Sequence, residues 1–342
     1  MNKRSNLRLV FLIILITFLA NCAIKYPKTS EFPEEIKIER ITLAGPISSR
    51  DSEISGLAWY NDYLILLPQY PGRFESDYDG KLFAIHKDTI LSFLNGKADS
   101  TIKPIEIDFV APRLSNQIKG YEGFEAIAFS DNKVFMTIES SPNNMLGYLI
   151  SGEIERDLSS ITLNAEKMTE ITPQTSINNA ADETMFVTSE KILTIYEGNG
   201  KNVNPSPVAH VFDHDLNLLE TIPFTNIEYR ITDATNLDEN KCFWVINYLY
   251  PGDQDEYNPA IDFIALKYGD GATHYKYKTV ERLLQFKYSE SGIILVQEAP
   301  IQLKLINDDN ARNWEGIVRL DDIGFLIATD KFPETILGFV RK

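Results

Sequence analysis

The chain has 342 residues, 44% of them hydrophobic, with 33 basic against 49 acidic residues and a formal charge of −16. That balance repels nucleic acid and anionic membrane surfaces, so neither is an expected partner. It also repels phosphorylated ligands unless a cation intervenes, while keeping an exported protein soluble.

Lys3, Arg4 and Arg8 precede an apolar stretch from Leu9 to Ala20, broken only by Thr17. Such a stretch spans about 18 Å as a helix, against a bilayer core of about 30 Å. It reads as a signal peptide over residues 1–21. Leu19-Ala20-Asn21-Cys22 resembles the lipobox of bacterial lipoproteins, with Asn21 where Gly, Ala or Ser is usual. Lipidation of Cys22 is expected; the alternatives are an ordinary signal peptide and an uncleaved anchor. Residues 22–35 then hold the lipidated cysteine and a tether. The protein would sit in the cell envelope, periplasmic or surface-exposed, held to the membrane by lipid only. Cys242 is then the one remaining thiol, which excludes an intramolecular disulfide. It lies in an apolar run and reads as a buried, inert thiol.

From residue 36 a pattern recurs five times. A polar opener (Ser55, Glu125, Glu183, Asp233, Glu315) begins an apolar stretch. A polar closer (Gln69, Glu139, Glu197, Asn247, Asp330) ends the next one, 14 residues later in four cases and 15 in the last. A unit that cannot bury itself alone implies a repeat architecture. The residue after each opener is small (Gly56, Ala126, Thr184, Ala234, Gly316), which suggests close approach of a neighbouring backbone. Apolar residues at two and four after the opener give the period of a strand, with Arg319 as the exception. Turn residues follow, Asn61-Asp62, Asp131-Asn132, Ser189-Glu190, Asp238-Glu239-Asn240 and Asp321-Asp322, and then short apolar runs. Each unit is a predicted hairpin with opener and closer at one end. Whether they face each other depends on the turn.

Weaker strands are predicted at Lys81–His86, Ile105–Val110, Gly147–Ile154, Val208–Phe212, Leu218–Phe224 and Thr335–Val340. Two such strands added to a hairpin make a four-stranded blade. The expected fold is all-β: a β-propeller of five to six four-stranded blades over residues 36–342. Ile36–Ala44 should complete the last blade and close the ring. Glu281–Tyr288 and Gly292–Gln297 fit either a sixth, degenerate blade or an elaboration of the fourth.

Closing the ring gathers the carboxylates at one rim. They then need protons, Arg or Lys, or a hard cation. Oxygen-only ligands favour calcium or magnesium over zinc. Glu125, Glu183, Asp233, Glu315 and Asp330 are the candidate calcium ligands. The structural alternative is that each acid bonds backbone amides of the neighbouring blade. Glu139 or Glu197 is the candidate general base. Arg230, Arg312 and Lys331 could neutralise these acids or receive an anionic group of a ligand. Loops after the second strands share this face and carry Tyr70, Phe74, Tyr78, Tyr248, Tyr250 and Tyr257, which could stack on a sugar or pack the loops. His210 and His214 read as a chance pair. No nucleophile elbow, P-loop or dinucleotide fingerprint occurs.

Ile54-Ser-Gly-Leu-Ala-Trp59, Gly123-Phe-Glu-Ala-Ile-Ala128, Asn313-Trp-Glu-Gly-Ile317 and Phe325-Leu-Ile-Ala-Thr-Asp330 resemble the phytase-like propeller family, also labelled "esterase-like activity of phytase". The resemblance covers about residues 36–342. It implies an exported propeller with calcium-dependent phosphoesterase activity. Classical β-propeller phytases surround phosphate with calcium and basic residues; this chain has the acids but few clustered basic residues. Two rivals stand beside it: a lactonase similar to the gluconolactonase and paraoxonase propellers, and a non-enzymatic envelope propeller that binds a glycan or a protein. A small-molecule or glycan ligand and a monomeric state are expected.

Overall fold

The computed structural model describes residues 32–97, 100–112 and 114–342. Cys22, the signal peptide and most of the tether lie outside them. The described chain opens with two short strands, β1 (Glu35–Ile36) and β2 (Glu39–Ile41). Four-stranded units follow: β3 (Ile54–Tyr60), β4 (Tyr63–Pro68), β5 (Gly80–His86) and β6 (Ile105–Val110); then β7 (Tyr121–Ser130), β8 (Lys133–Ser140), β9 (Leu146–Ile154) and β10 (Ser160–Ile171). The third unit is β11 (Thr184–Val187), β12 (Lys191–Ile195), β13 (Val208–Asp213) and β14 (Leu218–Pro223). β15 (Arg230–Ala234), β16 (Cys242–Leu249), β17 (Val280–Ser289), β18 (Gly292–Leu295) and β19 (Ile301–Leu303) make the fourth, and β1 joins it in parallel to β19, so Ile36 belongs to this sheet and not to the last. The chain ends in β20 (Trp314–Leu320), β21 (Gly324–Thr329) and β22 (Leu337–Arg341).

The architecture is an all-β propeller. Each predicted hairpin forms, and in three of them a turn residue that tolerates a left-handed backbone takes it, with φ of 51° at Asn61, 52° at Asp131 and 48° at Asp321. The opening strands pack in cyclic order: β3 against β7 and β20, β7 against β11, β11 against β15, and β15 against β20. Apolar cores lie between successive units, as with Phe124 against Ile65 and Leu82, or Leu57 against Leu326 and Phe339. Burying one such side chain contributes about 1.5–3 kcal/mol.

β2 pairs antiparallel with β22, Glu39 opposite Phe339 and Ile41 opposite Leu337. An N-terminal strand therefore completes the C-terminal sheet. β17 pairs with β16, and both β18 and β19 pair with β17. The extra strands thus elaborate the fourth sheet. The first two units also join at their outer edges, where β6 and β10 pair in parallel.

The small residues after the openers sit where backbones approach closely. A Cβ at Gly56 would stand 3.3 Å from the carbonyl oxygen of Glu125, and one at Gly316 would meet Leu57 Cγ at 2.7 Å. Arg319, the exception to the strand pattern, bonds Asp238 and the Cys242 carbonyl. Cys242 is half-buried rather than buried, because it starts β16 at the turn end. Burial pushes its thiol above the ordinary range.

Candidate active site

A feature that the repeat pattern does not reveal positions the acids. In four hairpins the opener falls at a β-bulge: the register shifts between Ile54 and Gly56, Phe124 and Ile127, Ile231 and Ala234, and Trp314 and Gly316. A bulge re-aims a side chain and interrupts pairing. Openers therefore do not sit opposite closers in the ladder. Glu183 directly precedes β11 instead.

Arg230 begins β15, and its buried guanidinium is the hub. It pairs with Glu197 through Nε, stands 3.5 Å from Glu183 and 4.0 Å from Glu315, and donates to Asn313 Oδ1 at 3.2 Å. Burial alone would lower its pKa; Glu183 and Glu315 outweigh that and raise it. Tyr248 lies under the guanidinium at 5.7 Å.

The surrounding carboxyls repel one another. Burial, then Glu139, Glu183 and Glu315, lift Glu125 well above the carboxylate range. Burial and then Glu183 push Glu139 up to about 8. Burial pushes Glu183 up to about 7, against the pull of Arg230. Glu315 is raised by burial, Asp330 and Glu183. Asp330 is raised by burial, although Phe332 N and Asn313 bond it. Glu125, Glu139, Glu183, Glu315 and Asp330 thus share one field with Arg230.

Other candidates serve the scaffold. Asp233 Oδ1 accepts from Ala234 N and Oδ2 from Ile317 N, each at 2.7 Å, so it staples β15 to β20. Burial still raises its pKa well above the usual value. Ser55 donates to the Phe124 carbonyl and Gln69 to Glu125. Asn247 bonds the carbonyls of Glu228 and Arg230 and accepts from Arg282. Arg312 does not reach the ring acids. Its guanidinium is bound by buried Glu281 and the Lys304 carbonyl, because β20 starts beside β17. Lys331 pairs with Glu53 at 3.1 Å rather than with Asp330. His210 bonds Asp182, whereas His214 faces the Thr188 carbonyl. The two histidines share no ligand.

Sequence reasoning missed Glu53, which is buried and held by Arg73 at 2.8 Å and Lys331. It stands two residues before an opener, and no pattern marks it. Sequence reasoning also missed Asn313, which donates to Glu315; the segment Asn313-Trp-Glu-Gly-Ile317 stood out only for its resemblance. The aromatic loops divide. Tyr248 and Tyr257 are buried beside Arg230, and Phe74 packs on Phe83. Tyr78 and Tyr250 are exposed. Tyr70 and Tyr121 wall a cavity of about 290 Å³ that also touches Arg73, Phe109 and Phe124. Both tyrosines feel the charge of Glu125 and, with burial first among the causes, are raised, Tyr70 to about 12.

The donor chemistry of the centre suits a hard cation, and Glu139 Oε1 and Glu197 Oε2 are buried with no hydrogen-bond partner. Among the described residues no three His, Cys, Asp or Glu side chains are arranged to hold a metal ion. The Arg230 guanidinium takes the place of a cation between Glu183, Glu197 and Glu315.

No family model matches the chain, and no curated protein matches it. Among solved structures, a glucose dehydrogenase is 9% identical over 89% of this chain and 99% of its own, with a TM-score of 0.47. An alpha-L-arabinofuranosidase from Clostridium thermocellum is 11% identical over 81% of each chain, at 0.45. A beta-fructofuranosidase from Bombyx mori is 8% identical over 99% of this chain and 66% of its own, also at 0.45. Likenesses this distant carry nothing about activity, and the propeller is read from the strand pairing above.

Proposed function

We propose that the ring centre is an acid–base site that hydrolyses a C–O bond in an uncharged, carbohydrate-like substrate, either a glycoside or a sugar lactone. The observation that supports this is the pair Glu139 and Glu183, coupled carboxyls raised to about 8 and about 7 beside a fixed guanidinium. Two carboxyls with separated proton affinities can act as acid and base near neutral pH. Protonated Glu139 gives its proton to the leaving oxygen as the C–O bond breaks. Ionised Glu183 takes a proton from the water that forms the new C–O bond. Proton return from Glu183 to Glu139 resets the site. Glu197 is held by Arg230 and fixes that residue's orientation.

The substrate class follows from charge. Several of the carboxyls keep their protons near neutral pH and Arg230 is already paired with Glu197 and Glu183, which leaves no unpaired cation at the centre to receive an anionic group. Tyr70 and Tyr121, which feel the charge of Glu125, line a cavity large enough for a monosaccharide. A lipid anchor at Cys22 and residence in the cell envelope complete this reading, with the N-terminal sequence as support.

A second reading keeps the phytase-like resemblance: calcium-dependent hydrolysis of a phosphoester. It is favoured by Glu139 Oε1 and Glu197 Oε2, which are buried with no hydrogen-bond partner. A panel of nitrophenyl glycosides, sugar lactones and nitrophenyl phosphate, assayed with calcium and with chelator, separates the two. The first reading expects chelator-insensitive hydrolysis of a neutral substrate, reduced about 10²-fold or more in Glu139→Gln. Hydrolysis of the phosphate alone, and only with calcium, selects the second. Turnover of no substrate, with sugars bound, makes the chain a binding propeller.

A further inference from the structure

The chain leaves the fourth sheet after β16 and returns at β17 through residues 250–279. Within this excursion the helix Phe263–Tyr268 buries Ile264 in the core between the third and fourth units. Asp262 caps it by accepting from Ile264 N and Ala265 N, and grips Arg282 with both oxygens at 2.8 and 3.1 Å. The outer side is apolar: Ile261 is 67% exposed, Phe263 64% and Leu266 74%. Single exposed apolar residues are ordinary, but three within six residues mark an interaction surface.

The same excursion anchors the start of the domain. Pro33 packs over Gly269, and Glu35 accepts from Thr273 N, Thr273 Oγ1, His274 N and His274 Nδ1 at 2.6 to 3.1 Å. The N-terminal segment therefore meets the domain beside the exposed apolar helix. Ten residues lie between Cys22 and Pro33, so the chain reaches at most about 40 Å.

We propose that Ile261, Phe263 and Leu266 dock on the bilayer to which Cys22 is anchored, an inference that rests on the lipid-anchor reading above. The formal charge of −16 disfavours anionic lipid, so the expected surface is zwitterionic and the contact apolar and insensitive to salt. The anchor supplies proximity, and the helix sets the orientation of the propeller on the membrane.

The test uses the full chain with Phe263→Trp, reconstituted with dioleoylphosphatidylcholine vesicles with or without brominated acyl chains. Flotation with the vesicles reports the anchor; quenching of the added indole reports the helix. Leu219→Trp, at an exposed position on β14, is the control. The wild-type spectrum is subtracted to remove Trp59, Trp244 and Trp314. The expected result is about a two-fold loss of the added emission of the Phe263→Trp variant in brominated vesicles, unchanged by added salt, with that of the Leu219→Trp control unaffected. Flotation of the Phe263→Trp variant without quenching overturns the docking and leaves the anchor standing. Neither flotation nor quenching overturns both. Disulfide-linked dimers of Phe263→Cys on the vesicles assign the face to a second copy and also overturn the docking.

Discussion

Arg230 is the one cation in contact with Glu183, Glu197 and Glu315 among the described residues, so its removal should be costly. Breaking a buried charge network from one side leaves uncompensated ions and destabilises by about 3–5 kcal/mol. Arg230→Met should lower the unfolding free energy from urea titration by that order, with the loss growing as pH rises and the carboxyls ionise. Glu139 and Glu183 give a second expectation. Their folded pKa values, about 8 and about 7, lie above the ordinary 4.5. The folded state thus holds protons that the unfolded chain has released. Their contribution is complete below pH 4.5 and is lost as pH rises through about 7 and about 8. The melting temperature should fall across that window, and Glu139→Gln should flatten the fall. A melting temperature that rises with pH there contradicts the assignment. The sequence showed which acids recur, because spacing is a one-dimensional property. It could not show that Arg312 belongs to Glu281 and Arg230 to the ring acids, since both stand three residues before an opener.

At the level of the element, hairpin existence was legible and strand register was not. Alternating apolar residues and Asn or Asp turns fixed the hairpins from Tyr60 to Tyr63 and from Ser130 to Lys133. The bulges at Ser55, Glu125, Asp233 and Glu315 depend on how neighbouring units meet, which the pattern does not encode. Asp233 shows the consequence. Its place in the repeat allowed either a metal ligand or a bond to the amides of the neighbouring unit, and the bulge turns it onto Ile317 N. Gly316 tests the close approach between units. A side chain there would meet Leu57, so Gly316→Val should cost about 1–3 kcal/mol by overpacking. A urea midpoint shift with an unchanged slope would check it. An unshifted midpoint would mean that β3 and β20 are farther apart than described.

For the whole molecule, the cyclic packing of β3, β7, β11, β15 and β20 turns scattered acids into one electrostatic system. Residues from Glu125 to Asp330, some 200 positions apart in sequence, titrate in each other's field. The acidic pattern was readable because each unit places its polar residue at the same end. Burial depth and proton sharing were not, because they arise only when the units meet. Glutamate carboxyl titration by carbon NMR on the labelled chain tests this most directly. Wild type should show coupled midpoints near about 7 and about 8 that change or vanish in Glu139→Gln and Glu183→Gln, the apparent values belonging to the pair. Glutamates that all titrate near the ordinary 4.5, in wild type and variants alike, would contradict the account.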